Sequence, residues 1–250
     1  MTVTERLGLP NGVEACLFDL DGVLTRTADV HESAWKEMFD AFLHRRADEG
    51  GQPFEEFTGA DYDAYVDGRP REDGVRAFLA SRGIDLPDGS EDDPPGAATV
   101  TGLSDAKNEI LLRRIRTDGV AVYDSSVEYV RAVRDAGLRT AVVSSSANTA
   151  DVLRVTGIED LFDARIDGVV AKERHLPGKP APDTFLAGAA ALDVPARNAA
   201  VFEDALAGVE AGHAGGFALV VGVDRAGQAD DLRAHGADVV VADLADLLHR

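Results

Sequence analysis

Ala15-Cys16-Leu17-Phe18-Asp19-Leu20-Asp21-Gly22-Val23-Leu24 is the stretch whose reading decides the fold. An apolar run ends in two carboxylates one residue apart, and glycine follows at once. Such a run, closed by punctuation, reads as a buried strand that breaks into a loop, predicted here over 14–20. In open α/β sheets ligands gather at the carboxyl ends of the strands. Alternate residues of an extended chain share a face, so Asp19 and Asp21 point into one site. One carboxylate of such a pair attacks or binds metal while its neighbour handles a proton. The same tetrapeptide also reads as a solvated turn, because Asp and Gly are turn formers. A calcium loop is excluded. It wants acidic or amide side chains at alternate positions and a Glu at the twelfth, where this chain has Val23 and Val30.

Outward from this stretch, the 250 residues suffice for one large domain or two modest ones. The balance of 45% hydrophobic and 28% charged residues is that of a soluble globular protein. A net charge of −20 argues against nucleic acid or an anionic membrane surface as partner. It also means that a phosphorylated substrate needs a local cluster of cations to reverse the field. The single cysteine, Cys16, cannot form an internal disulfide, which fits a reducing cytoplasm. It sits in the candidate strand, where a free cysteine is a small buried apolar group. No signal-like segment opens the chain and no apolar run reaches membrane-spanning length. A monomer is expected.

Thr25-Arg26-Thr27 leads into a helical pattern in which Val30, Ala34, Trp35, Met38, Phe39 and Phe42 recur near a 3.6 period. Further helical stretches are predicted over 54–66, 71–82 and 102–117, and residues 87–100 have the composition of a mobile loop. From about 119 the texture changes. Strands are predicted at 139–143, 163–167, 198–202, 217–222 and 237–241. Helices are predicted at 125–136, 148–156, 182–192, 205–213, 227–235 and 243–249, and the segment after 167 reads as a Gly- and Pro-rich loop. Strands alternating with helices imply an α/β fold, a doubly wound parallel sheet covered on both faces. The first strand belongs to it, so an all-helical segment (27–118) is inserted into a core made of 1–26 and 119–250.

Polar groups suited to phosphate chemistry stand at four strand ends or just beyond. The first carries Asp19 and Asp21. The second carries Ser144, whose hydroxyl and following amides suit an oxyanion. The third region carries Lys179, in Gly178-Lys179-Pro180-Ala181-Pro182, and the fourth Glu203 and Asp204. Carboxylates without His or Cys clusters suit a hard cation such as Mg²⁺ rather than zinc. Taken singly, each station has a plainer reading. Ser144 to Ser146 cap a helix, Lys179 is a surface lysine, and Asp204 is a helix N-cap.

Together these motifs resemble the haloacid-dehalogenase superfamily, in its β-phosphoglucomutase-like branch with a helical cap. Phe18-Asp19-Leu20-Asp21-Gly22-Val23, Ser144, Lys179 and Glu203-Asp204 match its four ordered motifs. Thr27-Ala28, His31, Ala34-Trp35, Gly68-Arg69-Pro70-Arg71-Glu72-Asp73, Lys107-Asn108 and Ser144-Ser145-Ser146-Ala147-Asn148 suggest the branch. The resemblance implies a Rossmann-like core and Mg²⁺-dependent phosphoryl transfer on a small phosphorylated sugar. Asp19 would be the nucleophile, forming an aspartyl-phosphate, and Asp21 the general acid/base. Mg²⁺ would sit on Asp19, the carbonyl of Asp21 and Asp204, with Glu203 near or in its shell. Ser144 and Lys179 would hold the transferring phosphoryl group. Thr27, His31, Trp35, Arg71, Lys107, Ser145, Ser146 and Asn148 would meet the substrate. A sugar-phosphate phosphatase is the alternative. Trp35 equally reads as packing for the helical core, and Lys172 competes with Lys179 for the phosphate role.

Three positions depart from the family pattern. Asp124-Ser125 replaces the usual Pro-Gly, which points to a changed hinge or helix start. Ala147 replaces a lysine. Arg26 replaces an aspartate and offers a substitute cation.

Overall fold

Ala15–Phe18 forms strand β1 of a computed structural model that describes residues 2–50, 55–67 and 69–248. All four of its residues are buried. It pairs in parallel with β2 (Arg139–Val143) on one side and β4 (Ala199–Glu203) on the other. With β3 (Ala164–Ile166), β5 (Leu219–Val223) and β6 (Val239–Val241) they make a six-stranded sheet in the order β3-β2-β1-β4-β5-β6. Every pairing is parallel, as apolar strands separated by helices require. β1 is therefore central, and its carboxyl end is where the strand order reverses.

The two faces of β1 are read by its alternating residues. Leu17 packs in a cluster with Val143, Phe185, Val201 and Val209. Gly188 lets the helix Asp183–Ala191 lie close there, since a Cβ at that position would sit 2.9 Å from Leu17 and from Val143. On the other face Phe18 stacks on Phe202 at 4.5 Å and meets Tyr129 edge-on at 6.3 Å. Tyr129 lies on the helix Asp124–Asp135 and donates its hydroxyl to Leu7 O at 2.8 Å, so a buried phenol is satisfied. Burial pushes the Cys16 thiol far up, in keeping with its reading as a small apolar group.

The chain divides into two units, Met1–Thr27 with Val120–Arg250, and Ala28–Gly119. The second unit is helical, with main helices Ala28–Asp48, Arg71–Ser81 and Val100–Asp118. Its core is aromatic. Phe39 stacks between Trp35 (5.3 Å) and Phe57 (5.2 Å) and rests on Phe78 (4.1 Å).

Several expectations are corrected. The helix expected over 54–66 is only a turn, Gly59–Asp61, running into a π-helical segment, Tyr62–Val66; Phe54 and His249 lie outside the described residues. The loop after 167 contains a short helix, Gly168–Glu173, capped by Asp167, whose carboxylate accepts from Val170 N at 2.9 Å. The expected helix over 243–249 is a 3₁₀ turn, Leu244–Leu247. Residues 87–99 lack regular structure but are pinned. Val100 N bonds Pro87 O at 3.0 Å, Thr99 bonds Asp93 at 2.7 Å, and Arg76 reaches Asp88 at 2.7 Å. Charged residues that made the composition look mobile are the ones that tie the loop down.

Candidate active site

After β1 the chain bonds once more to its neighbour, Asp19 N to Phe202 O at 2.9 Å, and then turns. Leu24 N and Thr25 N both bond Leu20 O, and Gly22 N bonds Thr25 O at 2.8 Å. Gly22 has φ +87°, a left-handed conformation that favours glycine. A second constraint also demands glycine there: a Cβ would lie 1.8 Å from Asp204 Oδ2. The first and fourth loops thus touch at Gly22. Asp19 is buried, and Asp21 is half-buried. Thr27 donates its hydroxyl to Asp21 Oδ1, and the Ser144 hydroxyl lies 3.4 Å from Asp21 Oδ2.

Ser144 follows β2 and is buried. Its Oγ accepts Ser146 N at 3.1 Å, and the Ser146 Oγ accepts Asn148 N at 3.2 Å. None of the three serines is the N-cap of the helix Thr149–Thr156, a position taken by Asn148, so the plain capping reading fails. Ser144 and Ser146 brace the turn instead. Ser145 is exposed, and Ser146 and Asn148 are half-buried.

Lys179 bonds two carboxylates and a carbonyl at once. Its Nζ lies 2.5 Å from Asp19 Oδ1, 2.6 Å from Glu203 Oε1 and 3.1 Å from Val143 O, over the Phe185 ring at 4.8 Å. The plain reading as a surface lysine is overturned by a side chain only 8% exposed. Burial alone would discourage its charge, but the two carboxylates outweigh burial and hold the ammonium well above the ordinary lysine range.

Burial raises the Asp19 carboxyl well above its ordinary range; Glu203 and Asp21 add to this and Lys179 opposes it. Asp204 is likewise pushed up, first by burial and then by Glu203, Asp19 and Asp21. It is not an N-cap either, since the helix Leu206–Ala214 starts after Ala205 without a side-chain cap.

These pressures test the fit of a divalent cation. Asp19, Asp21, Glu203 and Asp204 crowd one sheet end, and Lys179 opposes the mutual repulsion felt by Asp19 and Asp204. An all-oxygen donor set with surplus negative charge suits a hard dication. Among the described residues no three His, Cys, Asp or Glu side chains form a ready cage. Two carboxylates, a main-chain carbonyl and water meet the need of an ion that keeps much of its hydration. Asp19, Asp204 and the carbonyl of Asp21 therefore fit the group. Glu203, expected near or in the metal's shell, accepts Lys179 at Oε1 (2.6 Å) and Ala205 N at Oε2 (2.8 Å).

The helical unit brings three of its expected residues together. Lys107 is 3% exposed, and its Nζ lies 3.2 Å from His31 Nδ1 and 4.9 Å above the Trp35 ring. An ammonium only donates, so Nδ1 accepts and the imidazole proton sits on Nε2. Burial, then Lys107 and Arg71, hold His31 well below the ordinary histidine range, so it is neutral. Arg71 donates to Ser104 O at 3.2 Å. Trp35 is 3% exposed, stacks on Phe39 in the aromatic core and lies beneath Lys107. Gly68 lies outside the described residues.

Arg26, read as a substitute cation, lies over the Tyr123 ring at 4.8 Å. Asp124 opens the helix Asp124–Asp135, and the Ser125 hydroxyl donates to Asp243 at 2.6 Å. The loop after β5 was missed altogether. Arg225 donates to Gly22 O at 2.8 Å and Gln228 to Asp204 O at 3.1 Å. Their bonds go to main-chain oxygens, which carry no residue-type signal.

The model of the haloacid dehalogenase-like hydrolase family matches residues 13–216. A β-phosphoglucomutase of Mycobacterium bovis is 59% identical over 97% of this chain and 94% of its own. One of Bacillus subtilis is 30% identical over 94% and 92%. Among solved structures, β-phosphoglucomutase of Clostridium difficile aligns with a TM-score of 0.71 at 25% identity, over 94% of this chain and 93% of that one. With the parallel sheet and the carboxylate–lysine end of β1, these matches establish that the chain belongs to the haloacid dehalogenase-like hydrolase family.

Proposed function

We propose that the protein is a Mg²⁺-dependent β-phosphoglucomutase that interconverts β-glucose 1-phosphate and glucose 6-phosphate through a bisphosphate. One observation carries the chemistry: Asp19 sits 2.5 Å from Lys179, and a second carboxylate, Asp21, lies two residues on, held by Thr27 and Ser144. Asp19 attacks phosphorus and becomes the aspartyl-phosphate. Asp21 gives a proton to the departing sugar oxygen and takes one from the attacking hydroxyl. Lys179 stays charged throughout and offsets the spread oxygen charge of the transferring group. Glu203 keeps Lys179 aimed at Asp19. Mg²⁺, held by Asp19, Asp204 and the Asp21 carbonyl, supplies further charge neutralisation when bound.

The helical unit holds its own polar cluster. Arg71 and Lys107 are cations in a strongly acidic chain, and neutral His31 adds a ring that orients Lys107 without repelling it. We assign this cluster to the sugar phosphate. The mutase reading is favoured over a phosphatase by the 59% identity to the Mycobacterium bovis enzyme along almost the full length of both chains. No described helix is long and apolar enough to cross a membrane. The reading includes a monomer in the cytoplasm.

The test is direct. With Mg²⁺, β-glucose 1-phosphate and a trace of glucose bisphosphate, glucose 6-phosphate accumulates and free phosphate stays near background. Free phosphate without isomer assigns the protein as a phosphatase, and turnover that survives removal of Mg²⁺ with chelator excludes the metal. Replacing Arg71 by Ala removes a charge-assisted contact to phosphate and raises KM by roughly 10- to 100-fold, with kcat less affected. An unchanged KM would take Arg71 out of the substrate set.

A further inference from the structure

Arg225 and Gln228 leave the end of β5, a strand end to which the family motifs assign no chemistry in this chain. Arg225 donates through Nε to Gly22 O at 2.8 Å, and its Nη2 lies 3.5 Å from Val23 O and 3.4 Å from Ser126 Oγ. Its Nη1 donates to Ala242 O at 3.0 Å and lies 3.9 Å from the Asp243 carboxylate that Ser125 also holds. The guanidinium carbon lies 3.6 Å from the centre of the Tyr123 ring, and Tyr123 N bonds Leu24 O at 2.9 Å. Gln228, four residues after Asp224, bonds that aspartate through its own N at 2.8 Å and donates its side chain to Asp204 O at 3.1 Å.

The geometry of the loops gives these bonds a common purpose. Residues 20–25 close on themselves, so the loop's own amides do not reach the Gly22 and Val23 carbonyls. Asp204 rests against Gly22 so closely that no side chain fits between them. One short segment, 224–228, therefore grips both sides of the contact between the first and fourth loops. We propose that Arg225 and Gln228 are positioning residues that set the spacing between Asp21 and Asp204, although neither touches the reacting atoms. The proposal rests on the reading of those loops as the phosphoryl-transfer site. Displacement of such a site by about 1 Å costs on the order of 10²-fold in rate.

The experiment compares the parent with Arg225→Met, Arg225→Lys, Arg225→Ala and Gln228→Leu. Steady-state rates are measured well below each variant's melting midpoint. The expected result is a kcat lowered roughly 10- to 100-fold in Arg225→Met, with KM within about threefold of the parent. Arg225→Lys keeps the charge and the fold but cannot bond Gly22, Ala242 and Ser126 at once, so it remains slow. Added guanidinium restores part of the rate of Arg225→Ala, which a loss of bulk stability would not permit. Gln228→Leu is slower than the parent, and its effect is less than multiplicative with Arg225→Met, because both hold one contact. Parental kcat in Arg225→Met, or full rescue by lysine, overturns the proposal alone. A parent inactive on every sugar phosphate overturns the site reading beneath it.

Discussion

Asp19→Asn is expected to lower turnover by roughly 10⁴-fold or more while leaving the protein folded. The amide has the shape of the carboxylate but cannot attack phosphorus or hold an acyl-phosphate. Its oxygen still accepts from the Lys179 ammonium, whose other carboxylate, Glu203, is untouched. Burial and the neighbouring carboxylates already disfavour the charge on Asp19, so removing it relieves one buried anion. The melting midpoint is therefore expected close to that of the parent. Incubation with labelled substrate and rapid acid quench reads the outcome. The parent carries a hydroxylamine-sensitive label and the variant none. A variant that still turns over at a hundredth of the parental rate would place the nucleophile elsewhere.

The second large effect is at Lys179. Lys179→Met removes the ammonium between Asp19 and Glu203, whose side chains are 9% and 2% exposed. Breaking a buried ion pair from one side leaves uncompensated charge and costs about 3–5 kcal/mol. Turnover is expected to fall by roughly 10³-fold, since the transferring phosphoryl group loses a fixed cation. Adding Glu203→Gln separates the two effects. It removes one of the stranded carboxylates, so a measurable part of the lost stability returns by denaturant titration, while turnover stays low. Recovery of turnover in the double variant would mean that Lys179 acts only by holding the fold together.

Local signals made much of this site legible. β1 and its loop were readable because an apolar run, alternating carboxylates and a glycine each act over a few residues. Lys172 competed with Lys179 on sequence, and the structure seats Lys179 in the buried triad. Other contacts were not legible, for physical reasons. Glu203 was legible as one of a cluster of carboxylates; that a lysine from another loop and an amide of its own loop bond its two oxygens was not. Trp35 was legible as a core aromatic, but its contacts with Phe39 and Lys107 were not. The short helix Gly168–Glu173 was hidden by glycine and proline around it, and its start depends on one Asp167 cap.

The sequence by itself determined the elements that periodicity and punctuation encode: buried parallel strands, an inserted helical segment, and polar stations at strand ends. Those patterns are local, and burial enforces them whatever the neighbours are. Tertiary structure alone decided the strand order, the partner of each buried charge, and the reach of Arg225 and Gln228 to main-chain oxygens about 200 and 24 residues away in the chain. A carbonyl is the same group in every residue, so which one a distant donor finds is settled only when the strands that carry both are stacked side by side.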